Sequence, residues 1–258
     1  MKCLEFCVSN SKSASDLLKA LDEINLKAQV QIHDVEDSVK LAYENSEVRE
    51  GALEDFKTIV ELASDYNVEL ITLHPAYYRP EFDNYIPSPH ANRSLDYFKG
   101  YEVMVNSLRE VSRHADKHGI TLGLENMECF SLIEGKLLIT AHYGCEKSEL
   151  LKIIHDVGSS NLKVTYDVGH ANLTEEGPVE FCKDIVDLIV DVHVSDNDGS
   201  RDEHGPIGHG NIDFNEVFEV LARNGYEGPT IIEQPYDNYL LNDIKVINDM
   251  LKKLSVVL

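Results

Sequence analysis

Histidines and carboxylates recur in this chain where short apolar runs end. QIHD carries His33, ITLHP carries His74, LGLEN carries Glu125, VTYDVGH carries Asp167 and His170, DVHVSDND carries His193, and IIEQP carries Glu233. The loop RDEHGPIGHGNID adds Asp202 and His204. Neutral imidazole nitrogen and carboxylate oxygen are good ligands for Zn2+, Mn2+ or Fe2+, so these types converging from separate strands would hold divalent cations. Taken one at a time, a strand-end His or Glu is more often a cap or a hydrogen-bonding residue. Agreement among six runs favours a common centre, and so large a carboxylate cluster would be unstable without cations.

Such residues can meet only if the runs lie side by side. Short β-prone runs alternate here with longer stretches of helical periodicity, the pattern of repeated βα units around a parallel sheet. Seven strands are readable: Cys3–Val8, Ala28–Ile32, Glu69–Leu73, Thr121–Leu124, Lys163–Tyr166, Ile189–Val194 and Thr230–Ile232. Amphipathic stretches such as Ala52–Tyr66 and Tyr97–His118 lie between them. The pattern predicts an α/β fold of the TIM type, a (β/α) barrel in which the residue leaving each strand points into a shared catalytic mouth. A typical barrel has eight strands, and only one precedes the His33 strand here. Either the barrel is seven-stranded or an N-terminal strand has been lost. Two long connections, Pro75–Ser94 and Met127–Glu146, follow strands and would shape a substrate pocket.

The 258 residues, 43% of them hydrophobic, suffice for one large α/β domain spanning 1–258, and neither a linker nor an internal repeat marks a boundary. Forty-six acidic against 23 basic residues leave a formal charge of −23, which weighs against nucleic acid as a substrate because polyanions are repelled at long range. Met1–Ser9 lacks a basic leader segment, and no apolar stretch approaches the ~18 residues of a bilayer span. A cytoplasmic protein without a membrane partner is expected. Cys3, Cys7, Cys129, Cys145 and Cys182 form no C-x-x-C pair and read as buried thiols.

The other polar residues carry less. His114, His118 and His155 fall on helical stretches and read as solvated, His90 and His142 lie in the long connections, and His209 is open to either reading. Asp196, Asn197 and Asp198 read as turn formers in preference to partners that orient the His193 ring. The glycines of Gly208-His-Gly210-Asn-Ile-Asp213 lack the Lys-Ser/Thr pair of a phosphate loop, and a turn ahead of a helix capped by Asp213 is the better reading.

With these residues in view, the chain resembles the xylose isomerase-like TIM-barrel superfamily, which contains sugar and sugar-phosphate isomerases and epimerases together with the endonuclease IV family of apurinic-site nucleases. The resemblance runs from about His33 to the C-terminus. It is carried by Asp167-x-x-His170, by HVSDNDGSRDEHGPIGHGNID, and by the separated Glu125 and Glu233. For the isomerases and epimerases it implies one metal on Glu125, Asp167, His193 and Glu233. For the nucleases it implies three zinc ions, with further ligands at His33, His74, His170, Asp202 and His204. The chain departs from the nucleases in lacking a Gly-x-His-x-Ser segment on its first strand, an aromatic residue shortly after His33, and a Gly-rich stretch after Glu125.

The expectation is therefore a metal-dependent isomerase or epimerase of a sugar or sugar phosphate, using one to three ions, zinc or manganese first. Glu125 and Glu233 would remove and return a proton next to a carbonyl, with His170 or His74 binding a hydroxyl. An endonuclease IV-type zinc phosphodiesterase is the alternative, and a non-catalytic sugar or metal binder is a third reading.

Overall fold

A computed structural model describes residues 3–78, 85–87, 95–235 and 239–257. Over them the chain runs β1 (Cys3–Val8), α1 (Ser11–Glu23), β2 (Gln29–Asp34), α2 (Ser46–Asp65), β3 (Leu70–Leu73), β4 (Tyr85–Pro87), α3 (Leu95–Lys117), β5 (Thr121–Glu125), β6 (Phe130–Ile133), β7 (Lys136–Thr140), α4 (Lys147–Val157), β8 (Leu162–Asp167), α5 (Val168–Ala171), α6 (Gly177–Ile185), β9 (Ile189–Val194), α7 (Phe214–Arg223), β10 (Thr230–Ile232) and α8 (Leu240–Val257). Seven parallel strands form one sheet in the order β1-β2-β3-β5-β8-β9-β10. The sheet curls into a nearly closed TIM-type barrel with helices outside. Among the described residues, β10 and β1 approach each other without a hydrogen-bonded ladder, and no eighth strand fills the gap.

The seven strands coincide with the apolar runs, apart from small shifts at their ends. β2 extends past Ile32 because His33 and Asp34 pair with Cys7 and Val8 of β1 and with Thr72 and Leu73 of β3. His33 therefore lies on a strand and inherits its rigidity. The connection after β5 is not an open loop: β6 and β7 form a hairpin that pairs with β4 as a small antiparallel sheet. Most of the Pro75–Ser94 connection, including His90, lies outside the described residues.

The helices form for local reasons and dock for hydrophobic ones. Asn45 caps α2 by accepting from the Glu47 and Val48 N–H groups, and Asp213 caps α7 by accepting from Asn215 and Glu216. The α2 residues Ala52, Leu53, Phe56, Ile59, Val60 and Ala63 recur at helical spacing and are all buried, the larger ones contributing roughly 2 kcal/mol each.

Strand alternation sends apolar residues outward to the helices and polar ones inward. Ile32, Ile71, Leu73, Leu122, Leu124, Val164 and Val192 are buried in the apolar layer. Inside the barrel, Gln31 donates to Asp191 at 3.0 Å, the Cys3 thiol donates to Gln31 at 2.8 Å, and the Thr72 and Thr165 hydroxyls meet at 3.0 Å. Barrels of this type ordinarily fill this space with Val, Ile and Leu. Gly123 makes the exchange possible, since a Cβ there would stand 2.1 Å from Thr165 Oγ1.

The cysteines depart from expectation. Cys145 and Cys182 are buried and Cys129 is only partly so, while on β1, which borders the gap in the sheet, Cys3 is partly buried and Cys7 exposed. No helix among the described residues is long and apolar enough to cross a membrane.

Candidate metal centre in the barrel mouth

The residues singled out from the sequence converge at the C-terminal ends of the strands. Glu125 ends β5, Asp167 ends β8, His193 lies near the end of β9, and Glu233 follows β10. One ligand atom from each of these four lies within 4.8 Å of the others. Asp167 and His193 are direct neighbours in the β8–β9 register, just past a bulge at Val164 and Thr165. His193 Nδ1 stands 2.9 Å from Glu233 Oε2 and 3.4 Å from Glu125 Oε1. A cation at their centre would meet three carboxylates and one imidazole.

The donor set fits such an ion. Both Glu125 oxygens, Asp167 Oδ2, Glu233 Oε2 and both ring nitrogens of His193 are buried and make no aligned hydrogen bond. An unsatisfied buried polar atom costs about 1–3 kcal/mol, and more when charged, so a shared divalent cation would relieve several such penalties together.

Two further clusters flank the first. His33 Nε2 and His74 Nε2 approach Glu125 Oε2 at 3.0 and 3.2 Å. Across the mouth, Asp202 Oδ2 lies 2.8 Å from His204 Nε2 and 3.5 Å from His170 Nε2. All nine residues named from the sequence thus fall into three groups of potential ligands, two of which share Glu125. The two imidazoles of the Asp202 group are aimed by their second nitrogen: His170 Nδ1 bonds the Asn126 carbonyl at 2.8 Å, and His204 Nδ1 bonds the Glu233 carbonyl at 3.0 Å. His204 holds a left-handed backbone, φ 44°, a conformation that a non-glycine residue adopts only under local constraint.

Charge coupling in the mouth is strong. Burial pushes Glu125 up, but the His33 and His193 imidazoles outweigh it and hold the carboxyl well below its ordinary range. Burial pushes Asp167 up to about 7, with the Glu125 and Glu233 carboxylates adding to the rise. Burial alone would lower His33 and His193, yet the surrounding carboxylates raise both well above an ordinary imidazole. Cation binding would replace these protons, since the ligand forms are neutral imidazole and carboxylate.

Sequence reasoning missed two neighbours of the cluster, Glu5 and Glu128, and placed a third, His142, in a long connection where a pocket role was possible but unsupported. Glu5 on β1 lies 3.1 Å from His193 Nε2 and 3.5 Å from His33 Nδ1, the nitrogens facing away from Glu125 and Glu233. It favours the tautomers that present His193 Nδ1 and His33 Nε2 to the mouth as lone pairs. Its signal was present in the sequence: Cys3, Glu5 and Cys7 alternate on one face of an otherwise apolar strand. Glu128 lies 3.7 Å from His170 Nε2. His142 is buried after β7, packs edge-on against His74 at 5.7 Å and lies tilted against Tyr77 at 4.2 Å. Burial, with His74 beside it, pushes His142 down to about 3, so its ring is neutral.

Other readings resolve more simply. Asp196 accepts from the Gly208 and Gly210 N–H groups at 2.8 and 3.0 Å and organises the loop, and Asp198 accepts from Ser200 N in a turn. His209 is exposed, packs on Tyr239 and stays outside the clusters. His155 is exposed, whereas His114 and His118 are partly buried and face Glu61, which overturns the expectation that both are simply solvated.

Comparison with known proteins places this architecture. A family model described as xylose isomerase-like TIM barrel matches residues 7–255. An uncharacterized protein of Methanocaldococcus jannaschii is 34% identical over 224 residues, 84% of this chain and 68% of that protein. The L-ribulose-5-phosphate 3-epimerase UlaE of Shigella boydii is 25% identical over 221 residues, again 84% of this chain and 68% of the relative. Among solved structures, a D-tagatose 3-epimerase-like protein superposes with a TM-score of 0.79 at 28% identity, covering 99% of this chain and 90% of that one. An L-ribulose 3-epimerase shares the fold at a TM-score of 0.72 and 17% identity, over 99% of this chain and 86% of its own. With a family model spanning nearly its whole length, the chain belongs to the xylose isomerase-like TIM barrel family.

Proposed function

We propose that this protein is a divalent-metal-dependent isomerase or epimerase of a small sugar or sugar phosphate. The observation that carries the reading is the meeting of Glu125, Asp167, His193 and Glu233 within 4.8 Å at the mouth. A Zn2+ or Mn2+ ion held by these four residues supplies positive charge beside a substrate carbonyl as negative charge grows on its oxygen.

The chain's own groups would carry the proton. β5 and β10 stand three places apart in the seven-strand order, so Glu125 and Glu233 reach the cavity from opposite sides. One carboxylate removes a proton from the carbon next to the carbonyl, and the C–H pair delocalises onto the carbonyl oxygen. The other carboxyl, in its acid form, returns a proton to that carbon from the opposite face, which inverts it; return to the former carbonyl carbon isomerises the sugar once the neighbouring hydroxyl proton has moved to the former carbonyl oxygen. His170, buried and anchored through Nδ1, offers Nε2 to a substrate hydroxyl. His74, with an 18% exposed side chain, borders the same space. Similarity to an L-ribulose-5-phosphate 3-epimerase and to a D-tagatose 3-epimerase-like protein supports this class of reaction.

The test is incorporation of deuterium from solvent into a panel of ketoses and ketose phosphates by metal-loaded protein. Glu233→Gln should lower the rate by about 10²–10⁴-fold, and full activity in that variant would refute the assignment. A second reading, an endonuclease IV-type zinc phosphodiesterase, is favoured by the two flanking clusters at His33, His74 and Glu125 and at His170, Asp202 and His204. Three zinc ions per chain together with cleavage of an abasic oligonucleotide would establish it, against the −23 charge that opposes it.

A further inference from the structure

Glu61, His114 and His118 form a cluster outside the barrel, on the face opposite the mouth. His114 lies in the last turn of α3 and His118 one turn later, just past its end, so the two rings stack up on one side with centroids 4.8 Å apart and an interplanar angle of 33°. Glu61, just before the last turn of the neighbouring α2, brings Oε1 to 3.2 Å from His114 Nε2. One ligand atom from each residue lies within 4.8 Å of the other two.

We propose that these three side chains bind a second class of divalent ion, a borderline transition metal such as Zn2+, Ni2+, Co2+ or Cu2+, which staples α2 to α3. Two imidazoles and one carboxylate select such ions over Mg2+ or Ca2+, which prefer all-oxygen sites.

Three further observations support the site. His114 Nε2 is buried and makes no aligned hydrogen bond, although it points at Glu61. The turn carrying His118 is fixed, because the Ser64 hydroxyl of the segment ending α2 donates to the His118 carbonyl at 3.2 Å and Gly119 turns the chain away at φ 70°. Both helices end at this cluster, so the negative ends of two helix dipoles face the proposed ion. Lys57, one turn before Glu61 on α2, is already paired with Glu54 at 2.7 Å and Glu110 at 2.6 Å.

In a parallel barrel the helix C-termini lie at the ends where strands begin, the face associated with stability and not with chemistry. The ion would tie two adjacent outer helices there. It leaves turnover at the mouth untouched and raises stability by binding the folded chain alone.

The test compares full-length wild type with His114→Ala/His118→Ala, using Zn2+ and a competing chromophoric chelator. Wild type should bind one more equivalent than the double variant. At zinc about 100-fold above the dissociation constant of the outer site, wild type should gain roughly 5 °C in Tm that the variant does not gain. Turnover in Mn2+ should be equal in both. Glu61→Gln/His118→Asn, which alters partly exposed positions, serves if the first variant folds poorly and should lose the same equivalent. Asp167→Asn should keep the outer equivalent while losing ions at the mouth, which separates this inference from the proposed function. Equal zinc stoichiometry and equal zinc-dependent Tm shifts in wild type and both outer-site variants would overturn it.

Discussion

Glu5→Gln isolates the support beneath the mouth. The carboxylate lies 3.1 Å from His193 Nε2, 3.5 Å from His33 Nδ1 and 3.2 Å from the Thr72 hydroxyl, so it anchors two imidazoles from below while their opposite nitrogens face Glu125 and Glu233. Glutamine keeps the shape but not the charge: both rings face the same oxygen, Oε1, and a neutral amide oxygen there holds them less strongly than an ionised carboxylate does. Burial pushes the Glu5 carboxyl up, but His193 and His33 outweigh it and hold it ionised. Removing a carboxylate that orients a metal-bound histidine ordinarily weakens binding about 10- to 100-fold, which at about 1.4 kcal/mol per tenfold is roughly 1.4–2.8 kcal/mol. Competition titration with Zn2+ and Mn2+ reads this directly, with circular dichroism to establish folding. At saturating metal the loss in turnover should be smaller than the loss in affinity, because Glu125 and Glu233 are intact. Affinity within twofold of wild type in a folded variant would refute the anchoring role of Glu5.

The remaining expectations concern the frame around the site. Gly169 sits between Asp167 and His170, and a Cβ there would stand 2.6 Å from Ser195 Oγ and 3.2 Å from Asp167 Oδ1. Gly169→Ala should destabilise the protein by about 1–3 kcal/mol and weaken metal binding, and adding Ser195→Ala should restore part of both in thermal unfolding and titration; no recovery would place the strain elsewhere. Asp37 is pushed up to about 7 by burial, then by the neighbouring Asp55 and Asp34 carboxyls, against about 4 in an unfolded chain. Between those values the native state keeps a proton that the unfolded chain releases, so stability falls as pH rises through this window. Asp37→Asn should flatten that fall between about pH 4 and pH 7 in guanidinium unfolding, and an unchanged slope would refute the assignment.

Much of the fold was legible because each βα unit announces itself locally. A run such as LITL or VTYD must be strand, a stretch such as ALEDFKTIVELASDY has helical spacing, and their alternation leaves a parallel barrel as the economical solution. The mouth residues were legible for a related reason: strand ends in such a barrel share one space, so residue type and position along the strand suffice to collect Glu125, Asp167, His193 and Glu233. Glu5, His142 and the Glu61–His114–His118 cluster follow a different logic. Glu5 matters only because β1 curls round to bring it beneath His193, far along the chain, and His142 only because the β6–β7 hairpin folds back on His74. Glu61 and His114 meet because two helices pack side by side, and their relative rotation is set by side-chain packing that no local period encodes. What the amino-acid order determined alone was secondary structure and the identity of the residues at the strand exits, since both follow from short-range sterics and alternation. Which side chains approach from other elements, which nitrogen of each imidazole faces the cavity, and that the ring holds seven strands were decided only in three dimensions, where burial and long-range contacts select one arrangement among those the local pattern permits.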